Sequence, residues 1–210
     1  MKKIYSFAIY IFFLVLLSCT RMVTLRSELN FQGGQKYLVS EIEVKAPLKD
    51  QNVFTFEDIV RMSNTTTIYG SNSIITVSSP GVTEAKRADF NYILKKNSDD
   101  IILENLHSIF EVENKSPYSI HCDTDFKYYL ANRSGMSNIV GIYMNMNMVV
   151  TKDTINVFEK VYEANEEEKY STAWITYPRN STMNSLFNKA LNKIMEQIFN
   201  DSNLYFLMDE

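Results

Sequence analysis

His121-Cys122-Asp123 is the one place in this 210-residue chain where a histidine, a thiol and a carboxylate stand side by side, the residue types of a nucleophile with its base or of a metal site. They fall in a run whose apolar residues alternate. Ile120, Cys122, Thr124, Phe126, Tyr128 and Leu130 take one face of the expected strand, and His121, Asp123, Asp125 and Lys127 take the other. Neighbours on a strand point to opposite faces, so His121 and Cys122 share neither a proton nor a metal. Cys122 reads as a small core residue and His121 as a surface one. Asp123 and Asp125 have the spacing for a carboxylate-based hydrolase acting on wall glycan, although a solvated strand face explains them more simply. Met144, Met146 and Met148 are three thioethers on one face of a second strand, the soft donors that Cu(I) takes. Core packing beneath a helix is the default reading of them, and an uncovered apolar groove for acyl chains is the third option. The chain has no Gly-x-Ser-x-Gly elbow, His-Glu-x-x-His pair, phosphate-cradling glycine loop or Cys-x-x-Cys. The expectation is a protein without enzymatic activity, resident metal or cofactor.

The N-terminus carries the strongest signal. Lys2 and Lys3 precede an apolar run from Ile4 to Leu17 that ends in Leu16-Leu17-Ser18-Cys19. The run is too short for a permanent bilayer span of about 20 residues, and its form is that of a signal peptide. The segment resembles the lipobox of bacterial lipoproteins. That resemblance implies cleavage between Ser18 and Cys19 and acylation of Cys19, whose several acyl chains would give stable anchoring. Removing the leader takes Lys2 and Lys3 with it and leaves 19 basic residues against 25 acidic ones. A net negative body excludes a nucleic-acid binder, which would show a basic face, and it leaves membrane contact to the lipid and to any local patch.

The elements that must position these groups follow from periodicity. Residues 1–18 read as signal peptide, 19–36 as lipidated cysteine and tether, and 37–210 as a single α+β domain. Tyr37 to Lys45 predicts a strand with Leu38, Ile42 and Val44 on one face. Thr65 to Ser79, with Gly70-Ser71-Asn72-Ser73 at its centre, predicts a hairpin. A strand at Phe90, Tyr92 and Leu94 comes next, and then a helix capped at Asn97-Ser98, running to about Glu111 on the face Ile102, Leu106, Ile109 and Phe110. Three period-two strands form a meander. The acidic run Glu166-Glu167-Glu168 reads as a solvated loop. Ser181 caps a last helix with the stripe Met183, Leu186, Phe187, Ala190, Leu191, Ile194 and Ile198. The segment Leu204 to Met208 is either docked on the core or an exposed partner-binding tail. The expected architecture is a mostly antiparallel sheet with about two amphipathic helices packed on one face.

Over residues 88 to 207 the body resembles small envelope lipoproteins of the YajG kind and the transport-auxiliary lipoproteins of the PqiC kind. The capped helix after Asn97-Ser98, the strands Asp123–Leu130 and Val157–Ala164, and the closing stretch Ala190–Leu207 carry the likeness. The resemblance implies a non-catalytic, lipid-anchored component facing the periplasm, working within an envelope protein complex of a lipid or ABC-type transport system, with phospholipid as a candidate ligand. Thr20 follows Cys19 where an aspartate would mark inner-membrane retention, which favours the outer membrane.

Overall fold

The computed structural model describes residues 18–28, 36–70, 73–134, 137–171 and 178–208. The apolar leader, 1–17, lies outside them. The element order is β1 (Ser18–Val23), β2 (Tyr37–Val39), β3 (Glu41–Lys45), β4 (Asn52–Gly70), β5 (Ser73–Leu94), α1 (Asp99–Leu106), β6 (Phe110–Val112), β7 (Tyr118–Ser134), β8 (Ser137–Lys152), β9 (Ile155–Ser171), α2 (Asn180–Phe199) and α3 (Ser202–Met208). By their contacts these residues divide into two compact units. One holds the described parts of 1–21 and 55–91, the other 22–54 and 92–210. The first unit is built on the hairpin β4–β5, strands of 19 and 22 residues and so far longer than the hairpin expected, with β1 beside β5.

The second unit carries the core. Its four-stranded sheet has the order β3-β7-β8-β9, and β7, β8 and β9 form the antiparallel meander that alternation predicts. Ile120, Cys122, Thr124, Phe126 and Tyr128 of β7 and Val140, Ile142, Met144, Met146, Met148 and Val150 of β8 are all buried on the inner face. Helix α2 lies across β8 and β9. All seven residues of its expected stripe are buried, and Phe187 meets Phe126 edge-on at 5.2 Å between ring centroids. The helix begins after Arg179, so Ser181 lies in its first turn.

The expectation of one mostly antiparallel sheet with two helices is overturned. The described residues form three sheets and three helices, with two parallel pairings, β2 with β6 and β3 with β7. Parallel neighbours need a long crossover, and here the chain returns through α1 before β6 and β7 are laid down. Alternation reports that a segment is a strand but carries no information on which partner it takes. Two local departures have the same origin. The strand expected at 37–45 breaks at Ser40, whose N–H and hydroxyl both donate to the Tyr118 carbonyl. The break shifts the phase, burying Tyr37 and Val39 and exposing Leu38. Helix α1 stops at Leu106 because Phe110–Val112 pairs with β2. Its N-cap residue Ser98 turns its hydroxyl to the Pro47 carbonyl instead of the helix. The run Glu166-Glu167-Glu168 is no loop but part of β9. Lys193 pairs with Glu166 at 2.7 Å, Lys189 with Glu168 at 2.8 Å, and Glu167 accepts from the Tyr129 hydroxyl.

Candidate functional site

The residues singled out by type are not brought together. His121 lies on the outer face of the sheet, with Nδ1 at 3.1 Å from a carboxylate oxygen of Glu43 on β3. Cys122 faces the core from the same strand, and burial pushes its thiol up to about 12, so it stays protonated and apolar in character. Asp123 and Asp125 are exposed on the outer face. Met144, Met146 and Met148 are covered completely, at 0% exposure, by the helical layer. They fill the sheet-to-helix interface and form no open groove. Among the described residues no group of three His, Cys, Asp or Glu converges as a metal site. Ser18 and Cys19 fall in β1. Among the described residues no helix is long and apolar enough to cross a membrane.

Two features at opposite ends of α2 have the geometry of recognition. At the N-terminal end, Asn180, Asn184 and Asn188 form a ladder on one side of the helix. Their side-chain oxygens accept from the backbone N–H groups of Thr24 at 2.8 Å, Arg26 at 2.7 Å and Glu28 at 3.0 Å. In return Asn180 and Asn188 donate to the carbonyls of Thr24 and Arg26, and Asn184 donates to the Glu28 side chain. The match is metric: four helical residues rise about 6.0 Å and two extended residues span about 6.6 Å. Asn184 and Asn188 are buried, and these bonds satisfy their amides. Of the segment 19–36 read from sequence as tether, the part to Val23 belongs to strand β1 and 24–28 is an extended run bonded to α2, while 29–35 lie outside the described residues.

At the other end, α3 closes the unit. Asp201 caps it, accepting from the Asn203 N–H at 3.1 Å, while Lys160 and Tyr162 of β9 donate to its second oxygen at 2.6 and 2.8 Å. Burial alone would raise the Asp201 carboxyl, but these donors outweigh it and hold the group below the usual carboxylate range. Burial, reinforced by the same carboxylate, pushes the Tyr162 phenol upward. The Tyr118 hydroxyl donates to the Leu207 carbonyl at 2.9 Å. Leu204 is thereby buried, while Tyr205 and Phe206 stand 43% and 69% exposed. Thus the two readings of this tail are both realised, one face docked and one offered. Beside it opens a cleft of about 360 Å³, in which Leu38, Pro117, Tyr118 and Met208 meet the exposed side chains of Lys36, Lys115 and Glu113. This end combines apolar area with charged groups of both signs.

No family model matches the chain, and no curated protein matches it. Among solved structures, the chain is similar to a Xanthomonas campestris protein of family DUF330, at 9% identity and a TM-score of 0.44 over 90% of this chain and 97% of that one. It is also similar to a structure described as a neuraminyllactose-binding hemagglutinin homolog from Helicobacter pylori, at 11% identity and a TM-score of 0.32 over 58% of this chain and 67% of that one. The functional reading accordingly rests on this chain's own residues.

Proposed function

We propose that this protein is a lipid-anchored accessory component of the bacterial envelope, acting by binding rather than by catalysis, with its body in the periplasm. The outer membrane is the favoured address. Cys19, behind its charged and apolar leader, is the anchoring residue. The observation that carries the binding role is the cleft end of the second unit, where Tyr205 and Phe206 of α3 are exposed and the neighbouring cleft, lined by Met208 of the same helix, carries Lys36, Lys115 and Glu113. Exposed aromatic residues bordered by charge are the composition of interaction sites. The resemblance to transport-auxiliary lipoproteins supports a place in a lipid or ABC-type transport complex, with phospholipid as a candidate ligand.

The test is mild-detergent extraction of the tagged protein from its own membranes, followed by mass spectrometry of the N-terminal peptide, bound lipids and co-purifying proteins. A peptide beginning at an acylated Cys19, together with stoichiometric transporter subunits that are lost in Phe206→Ser with Lys115→Glu, is expected. An unmodified N-terminus would overturn the anchor, and partners retained by that double variant would overturn the role of the cleft end.

A further inference from the structure

The asparagine ladder has no role in holding the sheet to its helices. Its three amides are directed at a stretch of main chain that contributes backbone groups at Thr24, Arg26 and Glu28. Asparagine is a poor helix former whose side chain competes for backbone bonds, yet it recurs at every fourth residue along α2, at 180, 184, 188 and 192, and the first three of these bond the extended run 24–28. The bonding is polarised as well. Thr24 lies at the N-terminal end of α2 and Glu28 two turns further along, so the chain enters from one defined end of the helix.

We propose that Asn180, Asn184 and Asn188 form a rail that fixes where the lipid-anchored chain joins the body, so that the N-terminal end of α2 is held toward the anchoring bilayer and the cleft end is presented away from it. This inference rests on the reading of Cys19 as the lipidated residue. Chain length carries the argument. Thr24 lies five steps along the chain from Cys19, and at most about 3.6 Å per step gives a reach of about 18 Å. Helix α2, with 20 residues, is about 30 Å long. Anchored through the rail, Cys19 reaches the neighbourhood of Asn180 but not the far end of the helix. A free tether over 19–36 would span about 60 Å when extended and would leave every face of the body equally able to meet the membrane. The rail removes that freedom. A partner of the cleft would then approach from the side opposite the anchor, with no need to pass between the body and the bilayer.

Two measurements on the full-length protein test this. The first is amide hydrogen exchange at residues 24, 26 and 28, in the parent and in Asn180→Ala/Asn184→Ala/Asn188→Ala. Alanine favours the helix, so α2 survives the change and circular dichroism should be unaltered. Exchange at the three amides is expected to rise by about tenfold or more, because their acceptors are gone. Equal exchange in parent and variant would overturn the rail. The second measurement places a fluorophore on Arg179→Cys or on Ser202→Cys, with fully buried Cys122 unlabelled, in the acylated protein reconstituted into vesicles containing a headgroup nitroxide quencher. Quenching is expected at position 179 and not at 202, with the difference abolished in the ladder variant. Equal quenching at both positions in the parent, or a difference that survives loss of the ladder, would overturn the orientation. If mass spectrometry shows Cys19 unacylated, the orientation falls together with the anchor, and hydrogen exchange decides the rail by itself.

Discussion

The two ends of α2 are secured by different chemistry. At its N-terminal end the helix supplies all the specificity, with three side-chain amides gripping main-chain groups that any residue but proline would offer. At its C-terminal end the contacts run between side chains chosen for each other, Asp201 with Lys160 and Tyr162, or from a chosen side chain to a helix end, Tyr118 to Leu207. The difference teaches where sequence can vary. Thr24 and Arg26 can change while their docking persists, since only their main chain is gripped, whereas a single change at Asp201 leaves the end of the unit unlatched. A segment that looks like a featureless linker can be firmly held, because the code for holding it lies about 160 residues away in another element.

Opposing substitutions should separate the two ends. The largest effect is expected for Asp201→Ala, which removes a helix cap and the acceptor for two donors. The loss should be about 2–3 kcal/mol, moderated because Lys160 is half exposed and recovers water. Urea unfolding at pH 7 measures it. Because Asp201 titrates below its ordinary value in the folded state, its contribution is complete above about pH 4 and disappears as the pH falls through the lower folded value. The gap between parent and Asp201→Asn should accordingly shrink on acidification from pH 5 to pH 2, and a gap independent of pH would dissolve the latch. Next comes the triple alanine ladder variant, for which about 1–2 kcal/mol is expected, several lost hydrogen bonds being partly offset by the better helix propensity of alanine. Limited proteolysis should then cut near Arg26 first, without loosening α3.

Two tyrosines of one strand sharpen the contrast further. Tyr128 donates to Met183 in the first turn of α2, and Tyr118 to Leu207 in α3. Each change to phenylalanine should cost about 1 kcal/mol, with Tyr118→Phe increasing amide exchange in α3 and Tyr128→Phe leaving it unchanged. The smallest effect is expected at the β8–β9 turn. Asp153 and Thr154 both adopt positive φ, 49° and 73°, a two-residue hairpin geometry that suits glycine and strains a β-branched residue. Thr154→Gly should raise stability by up to about 1 kcal/mol, detected as a small upward shift in Tm, with exchange at residues 24 to 28 unmoved.

Much of this fold is legible from local pattern. Alternation places every second residue from Ile120 to Tyr128 and from Val140 to Val150 on the buried face as found, with Leu130 only half-buried, and helical spacing from Met183 to Ile198 finds the buried stripe of α2 but not Met195 or the buried asparagines 184 and 188, because burial on one face imposes the period of the backbone itself. The separation of His121 from Cys122 follows from the same rule. What escaped is non-local. The break at Ser40 depends on the carbonyl of Tyr118, and the early end of α1 depends on pairing between Phe110 and Tyr37. The ladder left a trace, asparagines at 180, 184 and 188 in an otherwise good helix, but periodicity could not name the segment they hold.

The sequence by itself determined the meander, the stripe of α2 and the dispersal of its reactive side chains, and it supplies the Leu16-Leu17-Ser18-Cys19 motif on which the proposed anchor rests. These depend on chemistry and spacing within a few residues of one another. Only the tertiary structure decided that β2 and β3 run parallel to their partners, that Met144, Met146 and Met148 are covered, that residues 24 to 28 are bonded to a helix, and that Tyr205 and Phe206 stand exposed while Leu204 is buried. Each of those outcomes depends on which distant segments meet, and that is settled by the joint satisfaction of backbone hydrogen bonds and apolar burial across the whole chain.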